Sequence, residues 1–313
     1  MSDSAPLSPL STSHSRGAVA SVAPPAAAPV PPVPAAGMAV HPAATLMLLR
    51  GGEAALEVLM LRRHPESVFA ADAWVFPGGR VDPADGVAVG PADADASRAL
   101  GLPSGGLAFW VAAARECFEE AGILLARHAG TGDWLDTTTH WGAARLSDYR
   151  AEVHAGRRSL VDVLAAEDLV LDLSDVHYVS HWITPPGGVR RFDTRFFVAP
   201  APSGQVASHD RSEMVESVWT TPTDALARHA AGEVHLVFPT IKNLQALARF
   251  PSASGVLRAA RSIAFVPSVT PRFRGDPDVP TAALEGALLT GAIFPPPASL
   301  GTTLSQPEPP CPT

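Results

Sequence analysis

Two apolar runs open the patterned part of the chain, Ala43 to Arg50 and Ala55 to Arg62, with Gly51-Gly52-Glu53-Ala54 between them. Runs of that length around a glycine-containing gap predict a β-hairpin. Trp74 to Phe76 predicts a short strand that enters the Pro77-Gly78-Gly79 turn. From Phe109 to Leu125 the spacing becomes helical. Phe109, Ala113 and Cys117 recur at four-residue steps and can face a sheet, and Gly122 reads as a C-terminal stop. Trp134 to about Leu173 is helical and more polar, with Tyr149, Val153 and Leu160 to Ala166 as modest apolar stripes. Two strand-like runs between Val179 and Ala199 flank Pro185 to Gly188 and predict a second hairpin. Helices are expected from Thr223, just after Pro222, and from Phe238, the latter with apolar residues at 241, 244, 247 and 248. After Phe250 the pattern weakens.

Composition sets the limits of the ordered part. Residues 1–37 are rich in Ser, Ala and Pro and almost uncharged, and residues 275–313 are again Pro-rich, so both are expected to be disordered tails around one domain at 38–274. Residues 17–49 contain no Lys, Arg, Asp or Glu. Six prolines between positions 24 and 34 nonetheless argue against a spanning helix, and the apolar piece that follows is too short for a membrane span. A basic start and compact apolar core for secretion are missing. The net charge of −8, with no long basic run, speaks against nucleic-acid binding through a phosphate-neutralising patch. Two cysteines, Cys117 and Cys311, suggest neither a disulfide framework nor a metal knuckle, which fits a reducing cytoplasm.

The chemistry concentrates in the predicted helix. Glu116, Glu119 and Glu120 stand at i, i+3 and i+4, within one narrow face. Three carboxylates there either form a solvated acidic face or repel one another until a cation joins them. Oxygen-only ligands suit a hard ion, Mg²⁺ or Mn²⁺. Arg115 lies four residues before Glu119 and can pair with it. Arg62-Arg63-His64 end the second strand, either as solvated charges or as forks for phosphate. Arg191, Asp193, Thr194 and Arg195 are polar residues in an apolar strand. They either pair with one another or line a cleft, the second being preferred for Arg191 and Arg195.

In this context Arg115-Glu116-Cys117-Phe118-Glu119-Glu120-Ala121-Gly122-Ile123 resembles the second half of the Nudix box, G-x5-E-x7-R-E-U-x-E-E-x-G-U with U a bulky apolar residue, and Phe76-Pro77-Gly78-Gly79 resembles its lead-in. The first half departs. Counting from Gly79, five residues lead to Asp85, an acid where the family has glutamate, and residues from about 86 to 107 become an insertion, expected as a surface loop. An interrupted box, with Trp182-Ile-Thr-Pro185 and Arg190-Arg-Phe-Asp-Thr-Arg-Phe-Phe197, is similar to a long-box subgroup of coenzyme A diphosphatases. The chain does not end in the Ser-Lys-Leu address of peroxisomal relatives.

The resemblance implies an α/β (α+β) fold, the Nudix α/β/α sandwich with a mixed sheet, a box spanning 79–123 and an extra helical insertion at about 134–173. That insertion could cap a substrate or serve a homodimer. It further implies metal held by the Gly79 carbonyl with Glu116, Glu119 and Glu120, an arginine, Arg115, that holds a carboxylate in place, and a further glutamate, Glu213 or Glu216, as metal ligand or base. The implied substrate is a small nucleotide-type molecule, coenzyme A or acyl-CoA first. ADP-ribose, NADH or another nucleotide is the alternative, as is a non-catalytic ligand-sensing domain.

Overall fold

The computed structural model describes residues 39–271 except 52–54, 88–92, 139 and 187–189. The expected tails, 1–37 and 275–313, lie outside the described residues. In chain order the elements are β1 (Val40–Arg50), β2 (Glu57–Arg63), β3 (Ala73–Val75), β4 (Gly78–Arg80), a 3-10 turn (Pro83–Val87), α1 (Asp93–Leu100), α2 (Leu107–Ala121), β5 (Ala126–His128), α3 (His140–His154), α4 (Leu160–Ala166), β6 (Leu169–Leu171), β7 (His177–Ile183), β8 (Arg191–Pro200), β9 (Met214–Thr220), α5 (Pro222–Ala230), β10 (His235–Leu236), α6 (Phe238–Leu247), α7 (Ala253–Arg261) and β11 (Ser268–Val269).

One mixed sheet runs in the order β10-β3-β2-β1-β8-β7-β11, with β4 added to β1 and β9 to β2. Its centre is β1, paired in parallel with β8 from Val40↔Arg191 to Leu49↔Pro200. The predicted hairpins appear as antiparallel β1–β2 and β7–β8. Alternation along β1 and β2 sends side chains to two cores. Ala44, Leu46, Leu48, Leu59 and Leu61 pack with α2 and the insertions. Met47, Leu49, Val58 and Met60 pack with α5, α6 and α7. Helices on both faces of a mixed sheet make an α/β/α sandwich.

Two expectations change. The insertion at 86–107 is not simply a surface loop, because it contains α1, whose Ala96, Ser97 and Leu100 are buried against α2. The pattern does not end at Phe250 either. Ala253, Val256, Leu257 and Ala260 keep the i, i+3, i+4, i+7 spacing of a one-faced helix and are buried as α7. Strand β9 was not anticipated, since its exposed and half-buried residues blur the alternation.

Helix α2 ends as expected. Gly122 takes φ +69° and donates its N–H to the Phe118 carbonyl. A Cβ at this position would stand 3.1 Å from Ser208 Oγ and 3.2 Å from Arg150 Nη1. The left-handed conformation costs a non-glycine residue about 1–2 kcal/mol. Gly122→Ala should therefore lower the urea midpoint by an amount worth about 1–2 kcal/mol with an unchanged m-value. A midpoint within error of the parent would refute this account of the helix end.

Candidate active site

Helix α2 is buried on every side over its first half, from Leu107 to Ala114, which is why that half carries no charge. The indole N–H of Trp110 is satisfied by the Val176 carbonyl at 2.8 Å. The first residues lack a capping side chain of their own. The box insertion supplies it instead. Asp93 accepts from the N–H groups of Gly105 (2.9 Å) and Leu107 (3.0 Å), and Ser97 Oγ accepts from Gly106 N–H (2.9 Å). These bonds satisfy donors that a helix start leaves open. They hold the Asp93 carboxyl below its usual range.

At the charged end Arg115 is the hub. Its Nε and Nη2 clasp the Asp85 carboxylate at 2.8 and 3.1 Å, and Nη2 also donates to the Arg80 carbonyl at 2.8 Å. Nη1 donates to Glu116 Oε1 at 2.9 Å and Glu119 Oε1 at 2.8 Å. Asp85 comes from the 3-10 turn and is 2% exposed. Burial works against the charge of Arg115, but Asp85, Glu116 and Glu119 overcome it and hold the guanidinium more firmly protonated than usual.

Strand β4 lies across the same helix. Gly78 N–H donates to Glu120 Oε2 at 2.9 Å. A Cβ on Gly79 would fall 2.4 Å from Glu116 Oε1, so a larger residue there would displace that carboxylate. Burial, with Glu119 adding and Arg115 opposing, pushes Glu116 up to about 7. Glu120 is raised well above the ordinary carboxylate range, by burial first and then by Glu116 and Glu213, while Gly78 N–H and Arg63 pull it back. The thiol of Cys117, in the same turn, is also pushed up by burial.

The strand faces sort the remaining candidates. Arg63 follows Leu59 and Leu61 onto the α2 face, with its Nη2 4.0 Å from Glu213 Oε2. Its Nε is buried without a hydrogen-bond partner among the described residues. Glu213 and Arg63 therefore join Glu116 and Glu120. Arg62 points to the opposite face, where it binds Asp72 (2.8 Å) and Glu216 (3.5 Å). Arg191 donates from Nε to the Thr184 carbonyl at 3.1 Å. Arg195 is buried, pairs through Nη1 with Asp193 at 2.9 Å and lies 4.3 Å over the Phe109 ring. His181 closes on the other oxygen of Asp193.

Sequence reasoning missed Arg150 and His154 of α3. Arg150 Nε donates to the Glu119 carbonyl at 2.7 Å, and His154 Nδ1 stands 3.6 Å from Glu119 Oε2. An arginine and a histidine four residues apart in an acidic chain were the available signal.

The donor set suits a hard cation. Glu120 is buried and Glu116 half-buried, the two are all-oxygen and mutually repelling, and Glu213 adds a third charge at the edge. Among the described residues no three acidic, His or Cys side chains are already gathered tightly enough to hold an ion alone. Glu119 is drawn aside by Arg115 and His154. A pair of carboxylates beside the glycine strand still fits an ion that keeps several waters and takes ligands from a phosphate.

Residues 91–247 match the family model for the NUDT19 Nudix domain, half of the chain. The chain belongs to the Nudix family. A crystal structure of a NUDIX hydrolase from Alicyclobacillus acidocaldarius aligns with a TM-score of 0.61 and 30% identity, covering 74% of this chain and 100% of that one. The acyl-coenzyme A diphosphatase NUDT19 of Gallus gallus is 31% identical over 234 residues, 63% of this Nudix chain and 62% of the relative. The Homo sapiens protein of the same name is 30% identical over the same length and shares. The matches thus span about three fifths of these curated relatives. Nudix hydrolases generally need divalent metal ions. Among the described residues no helix is long and apolar enough to cross a membrane.

The raised carboxyls set a pH signature. In the metal-free protein Glu116 binds its proton more tightly folded than unfolded. Its contribution to stability is therefore complete below about 4.5 and is lost as pH rises through about 7. In chelator, Glu116→Gln should gain Tm relative to the parent as pH goes from 5 to 8. Added Mg²⁺ should raise the parent's Tm more at pH 8 than at pH 5.5, because the ligands must be deprotonated. A Tm difference that stays flat with pH, or a Mg²⁺ shift larger in acid, would sink this electrostatic picture.

Proposed function

We propose that this Nudix protein hydrolyses the diphosphate linkage of coenzyme A or an acyl-CoA, giving 3′,5′-ADP and (acyl-)4′-phosphopantetheine, with Mg²⁺ or Mn²⁺ as cofactor. The observation that carries the hydrolytic reading is the convergence of Glu116, Glu120 and Glu213 beside the Gly79 turn, with Arg115 holding the helix to it. The substrate choice is supported by the curated relatives, which are named acyl-coenzyme A diphosphatases.

In this reading Glu116, Glu120 and the Gly79 carbonyl would hold the ion, and Glu119 would join them by giving up part of its contact with Arg115 and His154. When bound, the ion supplies positive charge that neutralises the diphosphate and acidifies water. Arg115 fixes Glu116 and Glu119 from one side. Of the two downstream glutamates, Glu213 is favoured as the proton acceptor, because Glu216 is engaged with Arg62 on the other face. Water adds to one phosphorus, the bridging P–O bond breaks and the water's proton passes to the carboxylate. Arg63, on the α2 face beside Glu213, is the arginine proposed for a phosphate oxygen. Arg62, Arg191 and Arg195 stay candidates for outlying groups of the substrate.

The proposal keeps one Nudix domain over 38–274, with the box at 79–123 and the helical insertion at about 134–173. A cytoplasmic location belongs to it too, since the free, buried Cys117 suits a reducing compartment. It needs neither nucleic acid nor a second copy of the chain.

The test is product mass analysis with coenzyme A, acetyl-CoA, dephospho-CoA, ADP-ribose and NADH in Mg²⁺ or Mn²⁺. The parent should release 3′,5′-ADP from the coenzyme A compounds, and Glu120→Gln should lose roughly 100-fold or more in kcat/KM. Removing the 3′-phosphate should cost roughly tenfold in kcat/KM. Equal turnover of dephospho-CoA and ADP-ribose would overturn the substrate, and no turnover with metal still bound would favour a sensor.

A further inference from the structure

Helix α3, from the inserted stretch, stands between the end of the box helix and the loop that carries Glu213. Arg150 and His154 lie four residues apart on one face of it. Each reaches both neighbours. Arg150 Nε donates to the Glu119 carbonyl at 2.7 Å, while its Nη1 donates to Ser208 Oγ at 3.2 Å and to the His209 carbonyl at 3.5 Å. His154 has Nδ1 3.6 Å from Glu119 Oε2 and Nε2 3.4 Å from Ser212 Oγ. The loop is joined directly to the box as well, through Ser208 N–H to the Ala121 carbonyl at 2.9 Å.

From Ser208 the chain has five residues to reach Glu213, and their path is closely specified. Asp210 accepts the N–H groups of Ser212, Glu213 and Met214 at 3.1, 2.8 and 2.8 Å, together with the Ser212 hydroxyl. Arg211 takes the left-handed conformation, at φ +70°. The Glu213 carbonyl accepts from His64 N–H at 2.8 Å, next to Arg63. The loop has its own tight turn and direct backbone ties at Ser208 and Glu213, and between them α3 adds the side-chain contacts that join the turn to the end of the box helix.

The helix end has a separate need for Arg150. Carbonyls at a C-terminus carry partial negative charge, and here they sit beside Glu119 and Glu120. The last turn of α2 holds no basic residue of its own. Arg150 supplies the missing charge from outside and packs directly over Gly122. Its Nη2 is buried without a hydrogen-bond partner among the described residues. A helix serving only as a surface cover has no reason to bury a guanidinium edge in that way, whereas a bridge between two fixed backbones does.

We propose that α3 is a clamp on the active site and that Arg150 is a positioning residue, tying the 208–213 loop to the end of the box helix so that Glu213 faces Glu120. The proposal rests on the hydrolytic reading of the site and adds that the insertion belongs to its catalytic geometry. It predicts that Arg150 acts through Glu213 and does more than support the fold.

The test is a double-mutant cycle on the full chain with Arg150→Met, Glu213→Gln and both together, plus Arg150→Lys, assayed for coenzyme A hydrolysis in Mg²⁺. Amide hydrogen exchange is read in parallel. Arg150→Met should lower kcat roughly tenfold or more with KM changed less than about threefold, since small displacements of a reacting group cost that much. On the Glu213→Gln background the same change should cost less than about threefold, because the two act as one unit. Exchange should quicken across 208–214 but not in β1 and β8, and Arg150→Lys should recover part of both readouts. Equal losses on the two backgrounds, an unchanged kcat, or unchanged exchange across 208–214 would overturn the clamp. If the parent cleaves none of the diphosphates, the hydrolytic reading fails, and the exchange data still decide whether Arg150 fastens the loop.

Discussion

Arg115 has five N–H groups and makes five hydrogen bonds, to Asp85 twice and to the Arg80 carbonyl, Glu116 and Glu119 once each. Among the described residues no other side chain ties together so many separate pieces of the site. It holds the glycine strand, the 3-10 turn and the acidic helix in one planar fork. A guanidinium suits this role because its geometry is rigid, its charge is permanent and its donors fan out in a plane. Removing it would leave Asp85 buried and unpaired and two glutamates uncompensated. The penalty for uncompensated buried charges far exceeds what a surface pair is worth. Arg115 also decides which carboxylate oxygens stay open for chemistry, since it takes Oε1 of Glu116 and of Glu119.

The same interaction explains how the box tolerates an interruption. What the site requires is that β4, Asp85 and the charged end of α2 meet. The chain between Asp85 and Leu107 only has to close a loop, and closing a longer loop costs slowly with length. The inserted residues then repay that cost. Asp93 and Ser97 cap the start of α2, where Gly106 offers no side chain to do so. The opposite end of the helix is served by the other insertion, through Arg150. Both departures from a minimal box thus finish the ends of one helix, whose middle is fixed by burial and by Arg115.

The fold and the box were readable in the chain for different physical reasons. Hairpins and helices showed because burial imposes a period, and Gly122 because a left-handed stop needs glycine. Asp85 could be counted from Gly79, but nothing in a linear sequence says that it would be spent on Arg115. The faces of β2 decide that Arg63 and Glu213 join the box while Arg62 and Glu216 do not, and alternation alone could have separated Arg62 from Arg63. It could not have chosen between Glu213 and Glu216, because that choice depends on the irregular register between β2 and β9 at Arg62/Arg63. Arg150 and His154 were hidden because they sit in a polar helix, where a functional polar side chain and a solvated one look alike until the neighbour is known. The insertion at 86–107 misled for a related reason. Ala, Gly, Pro and Asp suggest a loop, but Ala and Leu at the right spacing need only one buried face to become helix α1.

The charge balance of the site argues for its chemistry more directly than any single residue. Glu116, Glu119, Glu120, Asp85 and Glu213 meet Arg115, Arg63 and Arg150, so negative charge is in excess within a largely buried space. A structural cluster would remove the surplus by substitution, since a buried carboxylate without a partner is more expensive than an apolar side chain of the same size. Here the surplus is kept, and it falls on Glu116 and Glu120, whose carboxyls are pushed upward as a result. Protonation could relieve it only at the expense of the acceptor oxygens. A divalent cation relieves it while leaving those oxygens in place, and brings the positive charge that a diphosphate needs before water can approach phosphorus. The imbalance is therefore best understood as half of a site whose other half arrives with the metal and the substrate.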